Sequence, residues 1–217
     1  MHSSKENNSV IVGAGTHGQV YASYLKEAGI SILGFIDDNP DLSGKKINNI
    51  PVIGTYKELF TQEFKKNIQN VYCPIGDNKI RVNYLKALQK EGYATPNFIH
   101  HTAHVAPDVT LGNPVYILAG TTVMPHAVLK NYVMVNMNCN IAHHVTFEDG
   151  VFLSSGVNMG ALVHVQENVF AGIGATVMTG VREIGKNTII GAGAVVIDNL
   201  DENITVVGNP ARILSKK

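Results

Sequence analysis

An α/β domain followed by a parallel β-solenoid is the fold class this sequence predicts, and three observations predict it. A glycine-rich turn sits between an apolar run and a helix-like stretch near the N-terminus. From Val105 onward apolar residues recur every six positions. Charge is sparse, at 16% of residues, with 21 glycines and no tryptophan. A chain of 217 residues buries roughly 70% of its unfolded surface on folding, so it needs no disulfide staples. Lys+Arg of 17 against Asp+Glu of 17 leaves zero net charge, which removes the electrostatic footprint of a nucleic-acid or anionic-membrane binder. No apolar stretch is long enough to span a bilayer. The start, MHSSKENNSV, lacks the basic-then-apolar run of a secretory signal, and the two cysteines, Cys73 and Cys139, have no bridge to make that the fold requires. A reduced, cytoplasmic protein is expected, with no nucleic-acid and no membrane partner.

The first half alternates strands and helices. Asn8 to Gly13 is a short apolar strand, GAGTHG at Gly13 to Gly18 a turn, and QVYASYLKEAG a helix. The spacing Gly13-x-Gly15-x-x-Gly18 allows a tight turn and brings backbone N–H groups at a helix start close to an anion, usually a phosphate. The next strand, SILGFIDD, ends in Asp37 and Asp38, where a dinucleotide fold places a carboxylate against a ribose hydroxyl; the plain alternative is a polar strand end. A further strand at Val71 to Gly76 precedes a helix whose Ile80, Tyr84, Leu85 and Leu88 recur at helical spacing. Such alternation implies a parallel sheet. Its carboxyl ends gather Gly13, Gly15, His17, Gly18, Asp37, Asp38, Gly76 and Asn78 around one crevice suited to a nucleotide.

The second half repeats every six residues. One column runs Val105, Leu111, Ile117, Val123, Leu129, Val135, Ile141, Phe147, Leu153, Met159, Val165, Ala171, Val177; a second lies four residues after each. After Val181 the frame slips by one residue and resumes at Ile184, Ile190 and Val196. Period six fits neither a helix nor a flat strand, but it suits a parallel β-helix whose short strands turn corners and stack. Between Val105 and Arg182 only 6 of 78 residues are charged, as expected where like side chains lie about 4.8 Å apart in neighbouring coils. The solenoid's lower end needs a cover, which the α/β domain or the linker YATPNFIHHTAH would supply.

In this frame the first and fifth hexad positions point inward, so His143 and His144 lie outside the core. With three hexads per coil, residues 18 apart share a column, which stacks Asp108, His126 and His144, and beside them Pro125, His143 and Ala161. The bland reading is a solvated surface pair; the sharper one is a histidine general base.

GAGTHG, FIDD, IGDN followed by Arg81, the hexads and the closing VGNPAR, in this order, resemble the bacterial nucleotide-aminosugar N-acetyltransferases and sialic-acid O-acetyltransferases. That family joins a Rossmann-like domain to a left-handed parallel β-helix of hexapeptide repeats. The resemblance implies a Rossmann-like sugar-nucleotide-binding domain over residues 1–98 and an acetyltransferase β-helix over 99–217. It implies a homotrimer with acetyl-CoA, and no metal, between neighbouring subunits. The implied acceptor is the amine of a UDP-linked 4-amino-4,6-dideoxy sugar for bacterial glycan synthesis. By position, His143 falls on the family's catalytic histidine, and His17, Asp37 and Asp38 fall near the nucleotide. Asn136 falls near the acceptor sugar, and Ala161, Ile173, Gly191 and Ala192 fall on the pantetheine path. The chain departs from the family at one point: His144 stands where Glu or Asp usually follows the catalytic histidine. Glu148, Asp149 and a neighbouring subunit's carboxylate are the candidates to orient His143.

Rival readings stay open at this stage. One is O-acetylation of sialic acid or another glycan sugar. Another is a β-helix zinc protein of the carbonic anhydrase kind, suggested by nine histidines but weakened because His143 and His144 are consecutive. The third is a non-catalytic nucleotide-binding scaffold or a nicotinamide oxidoreductase.

Overall fold

The computed structural model describes residues 8–216. It divides into two compact units after Pro96.

In the first unit β1 (Ser9–Val12) is buried along its whole length, as its unbroken apolar sequence dictates for the centre of a parallel sheet. It leads through the glycine turn into α1 (Thr16–Glu27) and then β2 (Ile32–Ile36). A hairpin, β3 (Lys46–Ile47) and β4 (Ile50–Gly54), and a short α2 (Gln62–Asn67) precede β5 (Asn70–Tyr72) and α3 (Asn78–Lys90). The sheet order is β3-β4-β2-β1-β5. All pairs are parallel except β3 with β4. Three sequence-based expectations are corrected. β2 stops at Ile36, so Asp37 and Asp38 lie just past the strand. β5 stops at Tyr72, so Cys73 is buried immediately after the strand and not within it. Ile80 is 44% exposed, and Arg81 instead faces inward with Val82, Leu85 and Leu88.

The second unit is a β-helix. Strands mostly two or three residues long stack in parallel into three sheets, one of which ends in the antiparallel pair Ile204–Val207 and Arg212–Lys216, and the stacked partners lie 18 residues apart: Asn140 on Asn158, Thr146 on His164, Phe152 on Phe170. Three hexads therefore make one coil. The slip is real and local, because His164 pairs with Glu183 and Phe170 with Ile189, 19 residues apart. The extra residue is absorbed near Gly180, whose φ is +113°. Phe98–Ile99 pairs with Val115–Ile117, so the linker supplies the first strand of one sheet.

The core is the pair of apolar columns. From Val115 through Val181 nearly every member is fully buried in one continuous cluster, Cys139 and Phe147 included. Corners are left-handed, and two of the three corner columns are filled by residues that tolerate this: Gly120, Asn138, Gly156, Gly174 and Gly193 in one, and chiefly Asn and Gly in another. The third carries His126, His144 and Leu162 at φ +65°, +58° and +64°, a conformation that costs energy for such residues. Charges on the outer faces alternate in sign between coils. Lys130 Nζ lies 2.7 Å from Glu148, and Glu148 is 3.0 Å from His164 Nε2.

Candidate active site

The α/β unit holds a crevice of about 250 Å³ at the carboxyl ends of β1 and β5, lined by Gly13, Gly15, His17, Gly18, Ile75 and Gly76 among others. Gly13 turns at φ +96° and donates its N–H to Ile36 O at 2.8 Å. Gly18 must lack a side chain, since a Cβ there would lie 1.9 Å from Gly13 O. Gly15 caps α1 without a side-chain hydrogen bond, and the first turn carries no acidic residue. The helix start thus presents N–H groups and a positive dipole end to the crevice.

Asp37 accepts from Ala14 N–H at 2.7 Å and from Asn39 N–H at 2.9 Å, so it locks the glycine turn to the end of β2 while keeping further lone pairs. Asp38 is exposed and accepts from Tyr56 N–H at 2.8 Å. Asn78 is buried and turns Oδ1 toward Arg81 Nη2 at 3.0 Å.

Two features here were missed by sequence reasoning. Arg81 is fully buried and donates to Ile75 O at 2.8 Å, bracing the wall opposite the glycine turn; a buried guanidinium persists only where its donors are satisfied. Tyr56 and Tyr84 stack at 3.7 Å and 10° beside Asp38. Burial pushes the Tyr56 phenol up to about 12. Tyr84 was legible only as part of a helical stripe, and a run of apolar spacing does not distinguish a core ring from a stacked surface one.

On the β-helix, a groove of about 380 Å³ runs across the strand column Thr122, Asn140, Asn158 and Thr176 and includes Ala142 and Gly160. Ala142 directly precedes His143. The expected columns are observed: His144 N–H donates to Pro125 O and Leu162 N–H to His143 O. His143 Nδ1 lies 3.0 Å from His144 Nδ1. The ring of His144 packs on that of His126 at 4.6 Å, and His126 Nδ1 lies 2.5 Å from Asp108 Oδ2.

Neither Glu148 nor Asp149 orients His143, which corrects that expectation. Glu148 is engaged by Lys130 and His164, and Asp149 accepts from the backbone and side-chain N–H groups of Asn131. Among the described residues no three His, Cys, Asp or Glu groups at this edge bring their ligand atoms within 4.8 Å of one another.

Ala161 is buried and its N–H reaches Thr179 Oγ1 at 3.3 Å. Asn136, Ile173, Gly191 and Ala192 lie at another corner. There Asn136 N–H and Gly191 N–H are spent on the coil ladder, whereas Ile173 is 64% exposed. Both thiols are held protonated by burial, Cys73 up to about 12 and Cys139 up to about 11, and Cys139 Sγ reaches Ser154 O at 3.1 Å. They are poor nucleophiles.

A phosphate-type glycine crevice on an α/β unit, followed in the same chain by a hexapeptide β-helix with a histidine pair at its edge, defines the β-helix acyltransferase class. Residues 8–88 match the PglD N-terminal domain family. PerB from Caulobacter crescentus, solved with CoA and GDP-perosamine, is similar over 96% of this chain and 97% of its own, at 28% identity and a TM-score of 0.89. The acetyltransferase domain of PglB from Neisseria gonorrhoeae, solved also with acetyl coenzyme A, is similar over 96% of this chain and 100% of its own, at 29% identity and a TM-score of 0.89. A stretch of 45 residues is 44% identical to YJL218W of Saccharomyces cerevisiae, described as an acetyltransferase; it spans 21% of this chain and 22% of that protein. Over nearly its whole length the chain is thus similar to sugar-nucleotide acetyltransferases built from a Rossmann-like N-terminal domain and a β-helix.

Proposed function

We propose that the protein transfers acetyl from acetyl-CoA to the amine of a nucleotide-linked 4-amino-4,6-dideoxy sugar for bacterial glycan synthesis, as a cytoplasmic homotrimer. The observation that carries the reading is the His143–His144 contact. With the two Nδ1 atoms 3.0 Å apart, Nε2 of His143 is the nitrogen left for substrate, next in sequence to a residue of the groove wall. Residues 1–98 bind the nucleotide at the glycine crevice and residues 99–217 hold acetyl-CoA. The ligands of PerB and PglB support the pairing of a nucleotide sugar with acetyl-CoA. Two Caulobacter structures with CoA and GDP-perosamine bound, in which one histidine is replaced by alanine or asparagine, support attention to a histidine.

The amine nitrogen attacks the thioester carbonyl carbon and forms the C–N bond. Negative charge moves to the carbonyl oxygen, where the N–H of Ala161 receives it in place of its long bond to Thr179. Nε2 of His143 takes the amine's proton. Collapse breaks the C–S bond, the proton passes to the leaving thiolate, and amide and free CoA result. No covalent enzyme intermediate is needed.

The test is release of CoA thiol with a panel of UDP-, GDP- and dTDP-linked amino sugars and free sialic acid as acceptors. Turnover is expected with a nucleotide amino sugar, UDP being the nucleotide implied by the family resemblance and GDP the nucleotide in PerB's ligand. His143→Ala is expected to lower kcat by roughly 10²–10⁴ with acetyl-CoA affinity unchanged. Near-wild-type turnover of that variant overturns the base assignment. Transfer to free sialic acid, with indifference to nucleotides, selects O-acetylation instead.

A further inference from the structure

We propose that the ring of His144, itself packed on His126 and through it held by Asp108, positions His143 for catalysis through the contact between their Nδ1 atoms. This rests on the reading of His143 as base.

The geometry points one way. Both atoms of the 3.0 Å contact are Nδ1, so one ring must donate and the other accept. A base needs the lone pair on its substrate-facing nitrogen. If His143 donates from Nδ1, its Nε2 is that lone pair; if it accepts at Nδ1, Nε2 already carries the proton and has no lone pair with which to take the amine's. The productive arrangement is therefore His143 Nδ1–H donating to His144 Nδ1, with the proton of His144 on its own Nε2. After His143 takes the amine's proton at Nε2, its Nδ1–H still donates to His144, now as a stronger charge-assisted bond.

His144 is itself held in three ways. Its backbone is pinned in the left-handed corner at φ +58° and donates to Pro125 O at 3.3 Å. Its ring packs on His126 at 4.6 Å. His126 cannot swing away, because Asp108 Oδ2 takes both its ring Nδ1 at 2.5 Å and its backbone N–H at 3.1 Å. A carboxylate thus stands at the foot of the column, two coils below His144, and supports positive charge forming above it. The same corner column carries Leu162 at φ +64°, which shows that the corner accepts a non-polar side chain and that His144 is not there for the turn.

That last point supplies a variant that folds. His144→Leu removes the acceptor and copies the residue one coil above. Its kcat is expected to fall about 10- to 100-fold with KM for both substrates unchanged, and His144→Glu to recover most of the loss. Asp108→Asn is expected to lower kcat about threefold to tenfold. In a His143→Ala background, His144→Leu is expected to add nothing, because the two act as a unit.

Nitrogen-15 spectra of ring-labelled histidine give a readout independent of substrate. His143 is expected in the Nδ1–H form in the wild-type protein and in the Nε2–H form in His144→Leu. His143 found as Nε2–H in the wild type overturns the proposal, as does a His144→Leu protein that keeps its kcat or loses it equally without His143. An active wild type with an inactive His143→Ala and an unaffected His144→Leu sinks the positioning role of His144 alone. A fully active His143→Ala sinks the base assignment beneath it.

Discussion

Gly15 and Gly18 are separated by one turn of chain, yet alanine at the two positions is expected to do opposite things. At Gly18 a Cβ would sit 1.9 Å from Gly13 O, whereas an unstrained carbon–oxygen contact is about 3.3 Å. Relief requires the turn and the helix start to part by more than an ångström. The turn is tied down by Gly13 N–H on Ile36 O at 2.8 Å and Ala14 N–H on Asp37 at 2.7 Å. Overpacking of this kind costs about 1–3 kcal/mol and each weakened hydrogen bond about 1 kcal/mol, so the α/β unit should lose about 3 kcal/mol. At 4–8 °C per kcal/mol for a domain this small, its melting transition should fall by roughly 12–24 °C. At Gly15, φ is −66° and ψ 179°, a backbone open to any residue, and no atom lies within 4 Å of the added carbon. Gly15→Ala should leave stability within about 0.5 kcal/mol, or raise it slightly by restricting the unfolded chain. Its methyl would nonetheless stand in the crevice wall and weaken nucleotide binding about tenfold or more. Calorimetric melting of the full chain and titration with UDP and GDP measure both effects. Equal stability of the two variants, or undiminished nucleotide affinity in Gly15→Ala, would refute this account of the turn.

Two further outcomes follow from the β-helix and the thiols. His164 is pulled down by partial burial, but the carboxylates of Glu148 and Glu183 outweigh this and hold it above its usual value. Its contribution is therefore complete below the unfolded histidine value of about 6.5 and disappears as pH rises through the higher folded value. Because the side chain is 41% exposed, screening should keep this contribution below about 1 kcal/mol. His164→Gln should accordingly narrow the difference in melting temperature between pH 6 and pH 9, and an unchanged difference would remove the pairing from any role in stability. Cys73 and Cys139, both fully buried with their thiols held protonated, should resist an aromatic disulfide reagent in the native protein and react stoichiometrically in denaturant. Fast labelling of either in the folded state would contradict the packing described.

Periodicity carried the β-helix. The inward columns from Val115 to Val181, the 18-residue stacking and the one-residue slip were all legible, because a solenoid's contacts run between residues at a fixed separation and so leave their period in the chain. The glycine turn was legible for a similar reason: Gly13 and Gly18 are demanded by local backbone geometry. Pattern alone also brought Asp108, His126 and His144 into one column.

What only the tertiary structure decided are matters of direction and of partners far apart in sequence. Hexad position placed His143 outside the core but said nothing of which ring atom meets which; the Nδ1 contact with His144 and the engagement of Glu148 by Lys130 and His164 depend on side-chain torsions across coils. Arg81 was named in the sequence only as part of the motif after IGDN, and became a buried brace for Ile75 only once β5 and α3 were packed. Asp37 and Asp38 looked equivalent, yet the end of β2 at Ile36 turns one toward the glycine turn and the other toward Tyr56. Repeats and turns are written in local backbone constraints, whereas a hydrogen bond between distant side chains exists only after the chain has closed around it.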